Sequence, residues 1–195
     1  VKADTHDGLR DATMALTPTI HRFEIELADV DRGVYESIAL RLAREPSETA
    51  EFLLTRVFAY CLEHTDGIEI SGGIAAPDEP ALCVRDLTGS VRAWIDIGAP
   101  DAARLHKASK ATPRVAVYTH KDPAGLVRQL AGERIHRAEA LEIHAIDRGL
   151  LAELAARLGK RMVFGLTVTD RQLYVAMDGK TFVGSIETRA LEPRA

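Results

Sequence analysis

The apolar run Val115-Ala116-Val117-Tyr118 constrains this chain more than any other stretch. It shows no wet and dry alternation, so both of its faces must be covered, as in an interior parallel strand. A parallel neighbour is reached only through a crossover, and one lies immediately upstream. Residues 90–97 read as a strand, Gly98-Ala99-Pro100 as a tight turn, residues 100–110 as a helix and residues 114–119 as the second strand. Pro100 suits the first helical position, and Asp101 suits the positive end of the helix dipole. Asp96 sits inside Trp94-Ile95-Asp96-Ile97-Gly98, a run that otherwise reads as buried strand, and a carboxylate enters such a run only with a partner. Lys107 follows on the helix, so this unit sets an acid beside a base.

The flanking segments complete a sheet. Phe23, Ile25 and Leu27 alternate with polar residues, residues 29–33 supply turn chemistry, and Ile38, Leu40 and Leu42 resume the alternation, which predicts an N-terminal hairpin with one wet face. Ser47 is the expected N-cap of a helix running to about His64, with Ala50, Leu53, Leu54, Val57 and Cys61 on its core face. Glu48 and Glu51 then fall in its first turns, where an acid also complements the dipole. Gly67 ends that helix, and residues 68–71 form a short strand. The loop 72–80 leads to a strand at 82–85, which returns through Asp86-Leu87-Thr88-Gly89 into the strand carrying Asp96. If that turn pairs Arg85 with Ser90, Ala81 lies opposite Trp94 and Glu79 opposite Asp96, while a one-residue bulge reverses the facing. Asp122-Pro123 caps a helix to about Gly132, residues 141–146 read as a strand, and Asp147 opens a helix that Gly159 ends. Alternation through Met162, Phe164, Leu166 and Val168, then Leu173, Val175 and Met177, with Asp178-Gly179 before residues 182–186, predicts a closing meander. The expected fold class is therefore mixed α/β (α+β): a central mixed sheet flanked by helices, with an added N-terminal hairpin and C-terminal β-meander. One domain over residues 14–195 is expected, with residues 1–13 a polar, aperiodic N-terminal extension.

Charge and composition narrow the function. The net charge of −4 argues against indiscriminate attraction to nucleic acid, but it hides a local patch. Arg104, His106, Lys107, Lys110 and Arg114 occur within residues 104–114 without an acid, as a phosphate-binding surface or a solvated helix face. Cys61 and Cys83 fit no metal spacing and read as buried thiols, and the histidines fall on separate elements without zinc-ligand spacing. No apolar run has the length of a membrane span or the flanks of a signal peptide, so a cytoplasmic protein with no membrane partner is expected.

Acids are available at the start of the first helix (Glu48, Glu51), before a central strand (Asp78, Glu79) and within the next one (Asp96), with Lys107 beyond. Carboxylates of this kind can hold Mg²⁺ for phosphodiester hydrolysis, the ion activating water while a lysine stabilises developing charge. The alternative for Asp96 is a structural carboxylate paired with Arg92 or Lys107. Arg44-Glu45-Pro46-Ser47-Glu48-Thr49, Asp78-Glu79-Pro80, Asp86-Leu87-Thr88-Gly89, Trp94-Ile95-Asp96-Ile97-Gly98-Ala99-Pro100-Asp101 and Lys107-Ala108, in this order, resemble the YaeQ family from about Thr19 to the C-terminal meander. That family resembles the PD-(D/E)xK nuclease superfamily in fold. The resemblance implies that Asp96 matches the acid of the second motif, that Lys107 replaces the lysine expected where this chain has Gly98, and that Glu48 is the helix acid.

The implied set is thus Glu48, Asp96 and Lys107 for catalysis, Glu48, Glu79 and Asp96 for Mg²⁺, and Arg104, Lys107 and Lys110 for the phosphates of a nucleic-acid partner. One departure is Ala81, where the family pattern places an acid directly after Asp-Glu-Pro; Glu79 or Asp78 would have to replace it. Two expectations follow: a Mg²⁺-dependent nuclease with a variant site, or a non-catalytic nucleic-acid-binding or regulatory protein-interaction module on the same scaffold.

Overall fold

The computed structural model describes residues 17–71 and 79–191, so the expected extension 1–13 and the loop containing Asp78 lie outside the described residues. In chain order the elements are β1 (Thr19–Asp29), β2 (Val34–Arg44), α1 (Ala50–Leu62), β3 (Ile68–Ile70), β4 (Leu82–Arg85), β5 (Val91–Ile97), α2 (Ala102–Ala111), β6 (Arg114–Thr119), α3 (Pro123–Leu130), β7 (Glu142–Ile146), α4 (Arg148–Ala155), β8 (Arg161–Thr169), β9 (Gln172–Met177) and β10 (Lys180–Arg189). Ten strands form one mixed sheet in the order β2-β1-β8-β9-β10-β7-β6-β5-β4-β3.

The crossover anticipated from the central apolar run is present. β5, β6 and β7 are parallel, and Val115, Ala116, Val117 and Tyr118 are all buried. The hairpin is also present, β1 pairing with β2 without a break from Thr19↔Arg44 to Asp29↔Val34, and so is the β8-β9-β10 meander. The pairing that joins these two pieces, β1 parallel to β8, has no local signature because its partners are remote in the chain.

Two cores occupy opposite faces of the sheet. The larger surrounds α1 and α4 and includes Phe23, Ile25, Leu54, Phe58, Ile95, Ile97, Leu151 and Phe164. The smaller lies between β5–β7 and helices α2 and α3, and includes Trp94, Leu105, Val115, Val117, Leu126 and Ile143. Helix α1 is buried nearly all round, from Leu53 to Leu62 except Tyr60, because the curled sheet and helix α4 together cover it. A helix covered on every side needs no polar stripe, and this one has none of the strong amphipathicity of a surface helix. No described helix is long and apolar enough to cross a membrane.

Several boundaries differ from the sequence expectation. The N-cap of α1 is Thr49 rather than Ser47: Thr49 Oγ1 accepts from Phe52 N at 3.1 Å, while Glu48 N closes a preceding turn on Glu45 O at 2.9 Å. Helix α2 starts at Ala102 with Asp101 as its N-cap, so Pro100 stands before it. Helices α3 and α4 end at Leu130 and Ala155, short of Gly132 and Gly159.

Gly184 of β10 lets α4 lie against the sheet. A Cβ there would stand 2.7 Å from Leu150 Cβ and 2.9 Å from Asp147 Cβ, atoms that move only with the main chain of α4 and its cap and cannot swing aside as a side-chain tip can. Gly184→Ala is expected to lower the unfolding free energy by about 1–3 kcal/mol in urea denaturation.

Candidate functional site

Asp96 is 2% exposed near the C-terminal end of β5. Strand alternation puts Ile95 and Ile97 in the α1 core, and Trp94 and Asp96 on the opposite face, toward α2. The chain leaves β5 through Gly98, whose φ of 90° suits a residue without Cβ, and enters α2 at the Asp101 cap. That short connection holds Arg104 in the first turn of α2, with its backbone N donating to Asp101 Oδ1 at 2.8 Å. Its side chain then folds back over the strand end.

The guanidinium takes both carboxylate oxygens of Asp96: Nε donates to Oδ2 at 2.8 Å and Nη2 to Oδ1 at 2.7 Å. Nη2 also donates to the backbone carbonyl of Glu79 at 2.7 Å, and Cζ lies 5.5 Å from the centroid of the Trp94 ring. Arg104 therefore ties together β5, α2 and the segment entering β4. A two-pronged pair of this kind is geometrically selective, and ring stacking restrains the guanidinium further. The partner of Asp96 is Arg104, neither Arg92 nor Lys107 being its two-pronged partner.

Glu79 enters this group through its carbonyl. The β4–β5 register is Leu82↔Ile95, Cys83↔Trp94 and Val84↔Ala93, then Arg85↔Val91, with an irregularity between Val84 and Arg85. Two one-residue offsets, at the turn and at the bulge, displace the ladder by two residues from the expected one and so preserve its facing. Continued one step, the register sets Ala81 opposite Asp96, correcting the expectation that Glu79 stands there. Glu79 is exposed.

Glu48 is held elsewhere. It precedes α1 rather than lying in its first turn, and it is 2% exposed. Its Oε1 pairs with Arg56 Nη1 at 3.2 Å, its Oε2 accepts from Glu45 N at 3.1 Å, and its backbone O accepts from Arg44 Nε at 2.9 Å. Because α1 packs on the face of the sheet opposite α2, Glu48 and Asp96 are not brought together on one side.

These contacts decide how the residues suit Mg²⁺, which demands near-octahedral oxygen ligation. Both Asp96 oxygens and both Glu48 oxygens already accept hydrogen bonds from the protein, and position 81 offers only a methyl group. Among the described residues no group of three or more His, Cys, Asp or Glu side chains has the arrangement to hold a metal ion. The described donor set does not fit the ion.

The basic patch also divides. Lys107 and Lys110 are exposed on α2, three residues apart and so on neighbouring positions of its surface. Arg104 is committed to Asp96. Arg114 faces another group: it donates to Glu63 at 2.7 and 2.9 Å and to Glu142 at 2.9 and 2.6 Å, while Tyr118 Oη donates to Glu63 Oε1 at 2.8 Å. Hydrogen bonds to Glu63 and Glu142 hold the Arg114 proton even more firmly than usual. Burial, then the Glu63 charge, pushes the Tyr118 phenol well above its ordinary range, and burial pulls the neighbouring His144 down. Glu63 and Glu142 lie far from Arg114 in the chain, so no local motif announces this network.

Comparison with known proteins agrees with the fold. Residues 14–185 match the family model described as YaeQ protein. The chain is 29% identical over 167 residues to "Uncharacterized protein YaeQ" of Escherichia coli (strain K12), covering 85% of this chain and 92% of that protein. It is also 29% identical over 164 residues to the protein of the same description from Salmonella typhi, covering 84% and 91% of the two chains. Crystal structures of YaeQ proteins from Xanthomonas axonopodis pv. citri and Pseudomonas syringae superpose with TM-scores of 0.80 and 0.79 at 30% and 27% identity, covering 90% of this chain in each case and 100% and 97% of theirs. The family match and the shared ten-stranded architecture lead to one assignment: this chain is a member of the YaeQ family.

Proposed function

We propose that this family member is a nucleic-acid-binding module in which the Asp96 locus serves as a structural cross-link instead of a Mg²⁺-dependent nuclease centre. The observation carrying this reading is the two-pronged Arg104–Asp96 pair, reinforced by the Glu79 carbonyl, at the position where the nuclease resemblance calls for a metal-binding acid. With Asp96 and Glu48 paired to arginines, Lys107, exposed on α2, is assigned to phosphate contact rather than to a metal-bound nucleophile.

Lys107 and Lys110 are the contacts for phosphates, and their small number implies weak, salt-sensitive association. Two phosphate contacts correspond to a slope of about −2 for log K against log salt on duplex DNA. Fluorescence anisotropy with a labelled duplex, titrated from low to physiological salt, is expected to give that slope, and Lys107→Ala with Lys110→Ala should remove the binding. The same preparation supplied with Mg²⁺ or Mn²⁺ should leave the duplex intact. Metal-dependent cleavage that disappears in Asp96→Asn would overturn the cross-link reading and restore the nuclease. Absence of DNA and RNA binding at low salt would overturn the nucleic-acid role.

A further inference from the structure

The sheet curls around α1 but leaves an opening. Its two edge strands, β2 and β3, face one another across a cleft of about 520 Å³ lined by Leu40, Arg41 and Ala43 of β2, Ile68 and Ile70 of β3, and Tyr60 of α1. Among the described residues, β2 forms a ladder only with β1, and β3 only with β4. Each edge therefore presents backbone donors and acceptors on its outer side, apart from the Ala43 carbonyl, which Arg56 Nη1 reaches at 3.3 Å, and the Ile68 N–H, which donates to Thr65 O at 3.2 Å.

Direction and size both suit one added strand. Passing from β2 to β3 through the sheet, the antiparallel steps are β2–β1, β8–β9, β9–β10, β10–β7, β5–β4 and β4–β3, an even number of reversals. The edges consequently run in the same sense, and a single inserted strand can lie antiparallel to both, the stronger ladder. With strand spacing near 4.8 Å, a rise near 3.3 Å and a sheet layer near 10 Å, an extended residue occupies roughly 160 Å³, so the cleft holds about three residues. That matches the length of β3, Ile68–Ile70.

We infer that this cleft binds a lone extended segment of a partner protein, with apolar side chains alternating inward and an acidic side chain beside Arg41. A strand belonging to a second folded copy does not meet the requirement, because a sheet-edge strand has one free side and an occupant of this cleft uses two. The apolar requirement comes from Leu40, Tyr60, Ile68 and Ile70, which are only partly buried in the free protein. The acidic requirement comes from Arg41 and Arg22, exposed and directly paired across β2 and β1. Like charges so placed repel, and an added carboxylate relieves them. On the other flank of Arg22, Arg161 is already taken up by Glu24 at 2.7 Å. Main-chain pairing supplies affinity in such a mode and alternate side chains supply selectivity.

The probes are short fluorescein-labelled peptides of alternating valine and glutamate, and of alternating valine and lysine, added to the full chain. The glutamate peptide is expected to bind about tenfold more tightly, and Arg41→Glu, a change on an exposed side chain, should invert that order. Ile70→Glu should weaken both peptides. Amide hydrogen exchange should slow in β2 and β3 together when the glutamate peptide is bound. Failure of both peptides to slow either edge overturns the inference, as does protection of β2 alone. Edge protection that instead appears on raising the protein concentration, with a doubling of mass in light scattering, also overturns it by assigning the edge to a second copy.

Discussion

Replacing Arg56 with methionine is expected to lower the free energy of unfolding by about 3–5 kcal/mol, the range for stripping one partner from a buried ion pair. The Arg56 and Glu48 side chains are 3% and 0% exposed, so water cannot replace the lost cation without opening the structure. Glu48 would keep the Glu45 backbone donor at 3.1 Å but lose its ion pair with Arg56, and the Ala43 carbonyl would lose its 3.3 Å contact. One feature moderates the loss: among the described residues Arg56 Nε finds no acceptor, so methionine also removes an existing desolvation cost. The lower end of the range is accordingly the better expectation. Adding Glu48→Gln removes the stranded charge, and the double variant should recover at least about half of the deficit in a double-mutant cycle. Urea unfolding with an unchanged m-value reads the difference. A single-variant loss below about 1 kcal/mol would show that Glu48 relaxes to water and is not locked as described.

Arg104→Gln is the second large effect, expected at about 2–4 kcal/mol. The discount relative to Arg56 follows from exposure: the Arg104 side chain is 25% exposed, whereas Asp96 is 2% exposed, so solvent screens the cation but hardly reaches the acid. Glutamine can donate to one carboxylate oxygen but cannot span both, and it gives up the Glu79 carbonyl and the Trp94 stack. Pairing it with Asp96→Asn should return most of the loss if the penalty is a stranded buried charge. Calorimetric titration distinguishes this structural role from a metal role. The wild-type chain should show no Mn²⁺ binding that depends on Asp96. Saturable binding abolished by Asp96→Asn in a folded variant would mean that Arg104 yields its place to the ion, and the cross-link assignment would fall.

The contrast between the two pairs explains why the candidate site was only partly legible. Asp96 was recognisable because a carboxylate inside Trp94-Ile95-Asp96-Ile97 breaks an apolar run, and a buried charge demands compensation. Its partner was not recognisable from the same stretch. Arg92, Arg104 and Lys107 are all near enough in sequence, and the choice depends on how α2 is rotated relative to β5. Arg104, in the first helical turn, folds back over the strand end and reaches both oxygens. Glu79 illustrates a different loss of information. Its place opposite Asp96 assumed an unbroken ladder, and two small offsets in β4–β5 set the chain so that Ala81 continues to that position.

The basic stretch behaved in the same way. Adjacent letters from Arg104 to Arg114 suggested one surface, yet Arg104 turns to Asp96 and Arg114 to Glu63 and Glu142, while Lys107 and Lys110 lie on the exposed face of α2. Proximity in sequence does not fix the side of a sheet or the phase of a helix once an intervening strand has begun.

By itself the sequence determined the elements whose signals repeat over a few residues. These are the one-sided hairpin of β1 and β2, the interior strand Val115–Tyr118 with its crossover helix, and the meander turned at Asp178-Gly179. Only the tertiary structure decided that β1 joins β8, that the curled sheet encloses α1, and which arginine neutralises each buried acid. The physical reason is one of range. Backbone periodicity and turn chemistry are set by neighbouring residues, whereas strand order and sheet curvature depend on contacts between distant parts of the chain, and the pairing of a buried acid with a nearby arginine depends on how helix and strand are turned toward each other when the core closes.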